Sequence, residues 1–196
     1  EDNSAQQEFK LGFPKVLLFN LPESTIQERI YSLNSDNLRI TQQVHGGDAA
    51  YIMYTSGSTG FPKGAVMSHN NILNFIQWGK YTFDVTPDDI FTNANPIYFD
   101  NSAFDFYTSL FNGASLVPLS HDLVKSAREV VRAINDSGCT IWFSVPSLLV
   151  YLLTTKALSG SDFKNIRRIS FGGEGFPKSK LKQLFDLFSD RIKLFN

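Results

Sequence analysis

Residues 54–64 read Y-T-S-G-S-T-G-F-P-K-G, a stretch that begins where a short apolar run ends. Glycines let the backbone turn sharply and approach a ligand closely, and exposed N–H groups in such turns bind oxyanions. The hydroxyl side chains add donors, and Lys63 adds a positive charge. The stretch indicates a phosphate-binding loop; the alternative is a flexible turn with an exposed lysine. It is neither the Walker pattern, because Pro62 replaces the glycine required before the lysine, nor the dinucleotide fingerprint.

Around this loop, short apolar runs alternate with amphipathic stretches, which predicts an α/β fold. Most of the apolar runs are continuous, as in a sheet that is covered on both faces. Pro146 suits the first turn of a helix, Asp122 is predicted to cap another helix, and residues 135–138 are predicted to end it. Strands are predicted at 51–54, 65–67, 90–93, 115–118, 140–144, 168–171 and 193–195, and helices at 70–81, 102–111, 123–135, 147–156 and 179–188.

The composition is that of a globular protein without a nucleic-acid-binding arm. The 196 residues contain 18 Lys plus Arg against 19 Asp plus Glu, and 42% are hydrophobic. The single cysteine, Cys139, cannot form an internal disulfide, and no secretory signal or membrane-spanning run appears, so we expect a cytoplasmic protein. The 18 phenylalanines either fill the core or wall a ligand pocket.

The string at 54–64, followed by A-V-M-S-H-N-N-I at 65–72, resembles the phosphate loop of the AMP-forming adenylate superfamily. This superfamily contains acyl-CoA synthetases, luciferases and amino-acid adenylation domains. Further stretches resemble its later motifs, namely F-D-N-S at 99–102, F-G-G-E at 171–174 and F-N at 195–196. The resemblance implies the layered sheet-and-helix part of a large N-terminal domain. Residues 45–196 would be its ATP- and substrate-binding part, truncated before the end, and residues 1–44 a weakly matched preceding part, with the small C-terminal domain and its catalytic lysine absent.

The resemblance also implies which residues bind ATP and Mg²⁺. Residues of the phosphate loop would hold the β- and γ-phosphates, and the F-G-G-E stretch would shape the nucleotide site. For Glu174, the alternative is an exposed charge at a strand end. The predicted ATP-binding residues are Thr55, Ser56, Gly57, Ser58, Thr59, Gly60, Lys63, Gly172, Gly173, Glu174 and Asn196.

Asp100 has two interpretations. As an N-cap residue it would accept backbone N–H bonds at the head of a helix, worth about 1 kcal/mol. In amino-acid adenylation domains, the Asp at the matching position binds the α-ammonium group of the substrate, and a buried carboxylate needs such a cation. The side-chain pocket would then be formed by Asn101, Phe104, Phe143, Ile169 and Phe171. Three phenylalanines would narrow it and favour a small amino acid, unless their rotamers make a flat slot.

The implied reaction has two steps. The carboxylate of an amino acid attacks the α-phosphate of ATP, and a phosphopantetheine thiol on a carrier protein then takes the acyl group. Local strings are similar to those of D-alanine:carrier-protein ligases and of nonribosomal peptide synthetase adenylation domains. The alternatives are an acyl-CoA ligase for a fatty or aryl acid, with CoA as the acceptor, and a non-catalytic nucleotide-binding homologue.

Other sequence features exclude competing chemistries. His45, His69 and His121 have no metal-ligand spacing, and no G-x-S-x-G elbow indicates a hydrolase. No nucleic-acid or membrane partner is expected. We expect the chain alone to have little adenylation activity, because its charge-stabilising groups are incomplete.

Overall fold

A computed structural model describes residues 28, 31, 32, 43–55 and 61–196. The chain divides into two compact units, Glu1–Gln43 and Val44–Asn196. In the first unit, Glu28 and Tyr31 are helical, and the Ser32 N–H donates to the Glu28 carbonyl oxygen at 3.0 Å. The second unit carries the sheets and helices described below.

The second unit opens with an antiparallel hairpin. Its strands are β1 (Ala49–Thr55) and β2 (Lys63–Ser68), with Ile52 opposite Val66 and Thr55 opposite Lys63. The predicted phosphate loop is therefore the connection of a hairpin. Thr55 helps to close it, since its hydroxyl donates to the Lys63 carbonyl oxygen at 3.4 Å.

A parallel five-stranded sheet follows. Its strands are β3 (Ile90–Asn93), β4 (Ser115–Pro118), β5 (Ile141–Ser144), β6 (Arg168–Phe171) and β7 (Lys193–Phe195), in the order β4-β3-β5-β6-β7. The chain leaves β3 toward one edge and returns on its other side as β5. The carboxyl ends of β3 and β5 therefore flank a topological switch point, where open α/β sheets bind ligands.

Helices connect the strands. Helix α1 (His69–Phe83) begins with a capping box between Ser68 and Asn71 and packs next to the segment that follows β3. That segment consists of α2 (Asn101–Ala103) and a π-helical segment (Phe104–Thr108). The remaining helices are α3 (His121–Val124), α4 (Ala127–Ser137), α5 (Pro146–Thr154) and α6 (Lys178–Phe188). Within the described part of the chain, no helix has the length and apolar character needed to span a membrane.

The parallel sheet is covered on both faces, as the continuous apolar strands predicted. Trp142 and Ile169 belong to one core together with residues of α4, α5 and α6. Phe91 and Ile141 belong to a second core with Phe83, from the end of α1, and Phe104. Neighbouring residues of one strand thus point into different cores. The predicted α/β fold is confirmed.

One predicted helix, 123–135, is wrong in detail. It is two helices, α3 and α4, and the chain is non-helical at Ser126. The cap of α3 is Ser120, whose hydroxyl accepts the Leu123 N–H at 3.2 Å, whereas Asp122 lies inside the helix and pairs with Lys125. The other two expectations hold: Pro146 is the first residue of α5, and Gly138 ends α4 with a φ of 68°.

Candidate functional site

Two cavities meet at the loop that joins β3 to α2, residues 94–100. The larger cavity has a volume of about 1040 Å³ and lies at the carboxyl ends of β3 and β5, where Asn93 and Ser144 border it. The second, which we call the aromatic cavity, has a volume of about 600 Å³. Asp100 and Asn101 border both cavities. The loop thus lies at the switch point and forms the wall between two spaces that could hold a ligand.

Helix α1, the segment after β3, two strands of the parallel sheet and the hairpin all contribute residues to the aromatic cavity. Helix α1 contributes Phe75 and Trp78, the π-helical segment Phe104, strand β5 Phe143 and strand β6 Ser170. Ring centroids of Phe104 and Phe143 are 5.2 Å apart in an edge-on arrangement, and those of Phe75 and Trp78 are 5.4 Å apart. Both sequence interpretations of the phenylalanines therefore apply here, because rings that pack on one another also wall the cavity.

Asp100 does not act as a helix cap. Its backbone is in the right-handed helical region, and its side chain makes no capping hydrogen bond. The residue is exposed, and its carboxylate has no hydrogen-bond or ion-pair partner in the described part of the chain. The turn is instead closed by Ser102, whose hydroxyl donates to the Phe99 carbonyl oxygen at 2.7 Å. The Asp100 carboxylate is thus available to a cation at the rim of both cavities.

Two tyrosines lie beside this carboxylate. Tyr51 of β1 stacks on Tyr107 of the π-helical segment, with centroids 6.2 Å apart and ring planes 10° from parallel. Burial raises the pKa of Tyr51, and the nearby Tyr107 and Asp100 raise it further. Both tyrosines border the aromatic cavity. Tyr51, Tyr107 and Asp100 therefore border the same cavity.

The predicted side-chain pocket is brought together in part. Asn101, Phe104 and Phe143 line the aromatic cavity with Asp100. Ile169 and Phe171 do not: they are buried in the core beneath α4, α5 and α6. Side chains alternate along a strand, so the residue of β6 that faces the cavity is Ser170, paired in register with Phe143. The residue of β6 that lines the cavity is thus one position away from each of the two predicted residues. Of the three phenylalanines predicted to narrow the pocket, Phe104 and Phe143 border the aromatic cavity and Phe171 does not.

The predicted phosphate loop is described at its two ends. Thr55 ends β1, and Lys63 begins β2 with its side chain exposed to solvent. Ser56, Gly57, Ser58, Thr59 and Gly60 lie outside the described residues. Exposure leaves the Lys63 ammonium group free to approach a phosphate.

The other predicted nucleotide-binding residues follow the adjacent strands β6 and β7. Gly172 and Gly173 come directly after β6, and Asn196 follows Phe195, which pairs with Ser170. Gly173 has a φ of 90°, a conformation that L side chains rarely adopt. Glu174 accepts the Ser147 N–H of the first turn of α5 at 3.2 Å. Glu174 is therefore an exposed residue that also makes a capping contact with α5.

The sequence alone did not single out a buried polar network behind the loop. Asp105 is fully buried in the π-helical segment, and its Oδ2 accepts the side-chain amides of Asn93 and Asn95, each at 3.0 Å. Burial raises the pKa of Asp105 to about 8, although these hydrogen bonds lower it. A carboxylate inside the apolar stretch F-D-F-Y is the signal that could have indicated it. The cavity-facing Ser170, between Ile169 and Phe171, has the same signature.

Metal-ligand clusters are not found among the residues that the structure describes, where no group of three His, Cys, Asp or Glu side chains converges. His45, His69 and His121 are far apart in sequence, and each lies at or next to the start of a different turn or helix.

The fold and this site define an α/β ligand-binding domain with its cavities at the switch point of a parallel sheet. The AMP-binding enzyme family matches residues 5–196, and the chain belongs to this family. The resemblance to AMP-forming enzymes read from the sequence motifs is thereby confirmed.

Two relatives and one solved structure are similar to the chain. It is 38% identical over 150 residues to the L-proline–[L-prolyl-carrier protein] ligase of Streptomyces coelicolor, covering 76% of this chain and 28% of that protein. It is 34% identical over 149 residues to the D-alanine–D-alanyl carrier protein ligase of Listeria monocytogenes, covering 76% and 29%. The N-terminal domain of FACL13 from Mycobacterium tuberculosis has the same fold, with a TM-score of 0.75 at 24% identity, over 88% of this chain and 41% of that one. The chain spans less than a third of the length of these two ligases.

Proposed function

We propose that the protein activates an amino acid with ATP and transfers it to a carrier protein. In the first step, a carboxylate oxygen of the amino acid attacks the α-phosphate, and the bond to pyrophosphate breaks. In the second, a phosphopantetheine thiolate attacks the acyl carbon, and AMP leaves. Identity to proline and D-alanine carrier-protein ligases supports both steps.

The observation that carries the proposal is the carboxylate of Asp100 at the rim of the aromatic cavity, which has no partner among the residues that the structure describes. A substrate α-ammonium group would pair with this carboxylate, and a charge-assisted hydrogen bond contributes about 1.5 to 3 kcal/mol. The substrate side chain would extend between Phe104, Phe143 and Ser170. The proline and D-alanine ligases are named for small amino acids, which favours a small substrate here. A volume of about 600 Å³ leaves more room than such a substrate fills.

The phosphate side of the site would be formed by residues 55–60 and Lys63, with Gly172, Gly173, Glu174 and Asn196 around the remaining nucleotide. Backbone N–H groups and a lysine charge stabilise the negative charge that develops on the departing pyrophosphate. Mg²⁺ would be held mainly by phosphate oxygens, which suits a described site without a cluster of acidic ligands. A cytoplasmic location belongs to the same proposal.

The test is amino-acid-dependent ATP–pyrophosphate exchange by the full-length protein, screened over D- and L-amino acids and simple carboxylic acids. We expect exchange with an amino acid, its loss in Asp100→Ala and its retention in Asp186→Ala. Asp186 is a matched control, since it is an exposed aspartate that pairs with Lys182 on α6. Exchange with simple acids alone would favour an acyl-CoA ligase, and ATP binding without exchange would favour a non-catalytic homologue.

A further inference from the structure

Asp105 is a buried carboxyl group without a cation. Its side chain has no exposed surface, and among the described residues its hydrogen bonds come from Asn93 and Asn95, which are both neutral. The second oxygen, Oδ1, is buried without a hydrogen-bond partner in the same part of the chain. Burying such a group is unfavourable compared with an apolar side chain of the same shape. The role of Asp105 must therefore be sought in the elements that its hydrogen bonds hold in place.

These contacts tie three elements together. Asn93 ends β3, and its amide donates both to Asp105 and to the Asn95 carbonyl oxygen, the latter at 3.2 Å. Asn95 lies in the 94–100 loop, and its amide donates both to Asp105 and to the Phe143 carbonyl oxygen of β5, the latter at 3.1 Å. One oxygen of Asp105 thus joins the end of β3 to the start of the loop, and Asn95 extends the connection to β5.

The loop depends on this anchor. Asn95 is buried, whereas residues 96–100 are exposed, including Tyr98 and Phe99. Beyond Asn95, the loop is held by its own turn, where the Phe99 N–H donates to the Pro96 carbonyl oxygen at 3.0 Å, and by the Ser102 hydroxyl. The position of the loop relative to the sheet is therefore set at Asn95, and Asp100 lies at the other end of the same loop.

We propose that Asp105 is a positioning residue for the amino-acid site. Asp105 acts through Asn95 and holds the loop so that Asp100 faces the aromatic cavity. This inference rests on the proposed function. The π-helical segment supports it, because an extra residue in a helical turn changes the direction in which side chains project, and such segments frequently occur at functional sites.

The test compares two substitutions at Asp105 in the full-length protein. Asp105→Asn keeps an oxygen acceptor of the same shape, so Asn93 and Asn95 retain their partner. Asp105→Leu removes the acceptor and leaves two buried amides with one bond fewer. We expect Asp105→Leu to raise the KM for the amino acid by about tenfold in ATP–pyrophosphate exchange, the size of effect that a lost buried hydrogen bond produces. The KM for ATP should not change, and Asp105→Asn should remain close to the wild type.

Two further variants separate positioning from simple stability. Asp89→Asn weakens a different buried carboxylate network, remote from the loop, and should lower the melting temperature without changing the KM for the amino acid. Asn95→Ala removes the link between Asp105 and the loop and should reproduce the KM effect of Asp105→Leu. If Asp105→Leu does not fold, Asn95→Ala alone decides.

An unchanged KM for the amino acid in Asp105→Leu or in Asn95→Ala, at a lowered melting temperature, would overturn the positioning role. If exchange is lost in Asp100→Ala at the same time, the proposed function stands and only this inference fails. If Asp100→Ala keeps full amino-acid exchange, amino-acid activation stands, but the role of Asp100 fails and this inference fails with it. If the wild-type protein shows no amino-acid-dependent exchange, the proposed function itself fails.

Discussion

Arg167 holds Asp89 by two parallel hydrogen bonds, from Nε to Oδ1 at 2.9 Å and from Nη2 to Oδ2 at 2.7 Å. Asp89 also accepts the Thr140 hydroxyl at 2.7 Å and the Thr86 N–H at 2.9 Å, and Arg167 donates to the Phe83 carbonyl oxygen at 2.9 Å. The pair thereby joins the end of α1 to the amino ends of β3, β5 and β6. Both oxygens of Asp89 have partners, in contrast to the half-satisfied Asp105.

Asp89→Asn should destabilise the fold in a pH-dependent way. Burial raises the pKa of Asp89, but the hydrogen bonds from Arg167, Thr140 and Thr86 and the Arg167 charge bring it below the ordinary value of 3.8. A lowered pKa gives stability that is present above the ordinary pKa and is lost as the pH falls through the lowered value. We expect a loss of about 2 kcal/mol at neutral pH, less than for a fully buried pair because Arg167 is partly exposed.

Urea denaturation at neutral and at acidic pH measures this effect, and the difference from the wild type should shrink in acid. Asp186→Asn is the control, because its ion pair with Lys182 is exposed on both sides and is worth about 0.5 kcal/mol or less. Equal losses in the two variants would contradict the assignment.

Asp105→Asn should have the opposite pH dependence. The pKa of Asp105 is raised from 3.8 to about 8, so between these values the folded protein holds a proton that the unfolded chain has released. The contribution of Asp105 to stability is fully present below the ordinary pKa, falls as the pH rises and levels off above about 8. Asparagine does not titrate. The stability of the variant relative to the wild type should therefore increase between about pH 5 and about pH 8 in urea denaturation, and a constant difference would refute the raised pKa.

Adjacent residues of β6 should have separable roles. Ser170→Val adds apolar bulk to the aromatic cavity and should raise the KM for the amino acid in ATP–pyrophosphate exchange with little change in stability. Ile169→Ala removes core volume on the other face of the sheet and should cost about 2 to 5 kcal/mol in the free energy of unfolding while that KM stays constant. If the two phenotypes are exchanged, the register of β6 is wrong.

Gly79 of α1 lies against Thr108 of the π-helical segment. A Cβ at position 79 would lie 2.6 Å from Thr108 Cγ2 and 2.7 Å from its Oγ1. Thr108 is buried and cannot swing away, so Gly79→Ala should destabilise the fold by about 1 to 3 kcal/mol in thermal or urea denaturation.

The double variant Gly79→Ala, Thr108→Ala should recover part of this loss, because the two atoms nearest the new Cβ are removed. Gly47→Ala is the matched control, since a Cβ there meets nothing within 4 Å. A Gly79→Ala variant as stable as Gly47→Ala would show that α1 and the π-helical segment are not packed this closely.

The local sequence was sufficient to predict most of the helices and strands and to recognise the family. Turn residues mark the ends of strands and helices through their own backbone preferences, so Pro146 and Gly138 fixed the boundaries of α5 and α4. The string at 54–64 and the motifs around Asp100 and Gly172 are contiguous, so their resemblance could be read without a fold. The split between α3 and α4 was missed, because Ser120 and Asp122 are both acceptable caps and only the path of the chain selects one.

The tertiary structure decided which side chains face the cavities. In β6, the sequence R-I-S-F alternates polar and apolar residues, which separates Ile169 and Phe171 from Ser170. Because both faces of the sheet are covered, this alternation does not show which of the two faces borders a cavity. Pairing with β5 and β7 sets that register, and it places Ser170 in the aromatic cavity and Ile169 in the core. The partners of Asp105 could not be predicted from the sequence either. Its contacts with Asn93 and Asn95 span 12 and 10 residues, and they depend on how the chain returns from the π-helical segment to the end of β3.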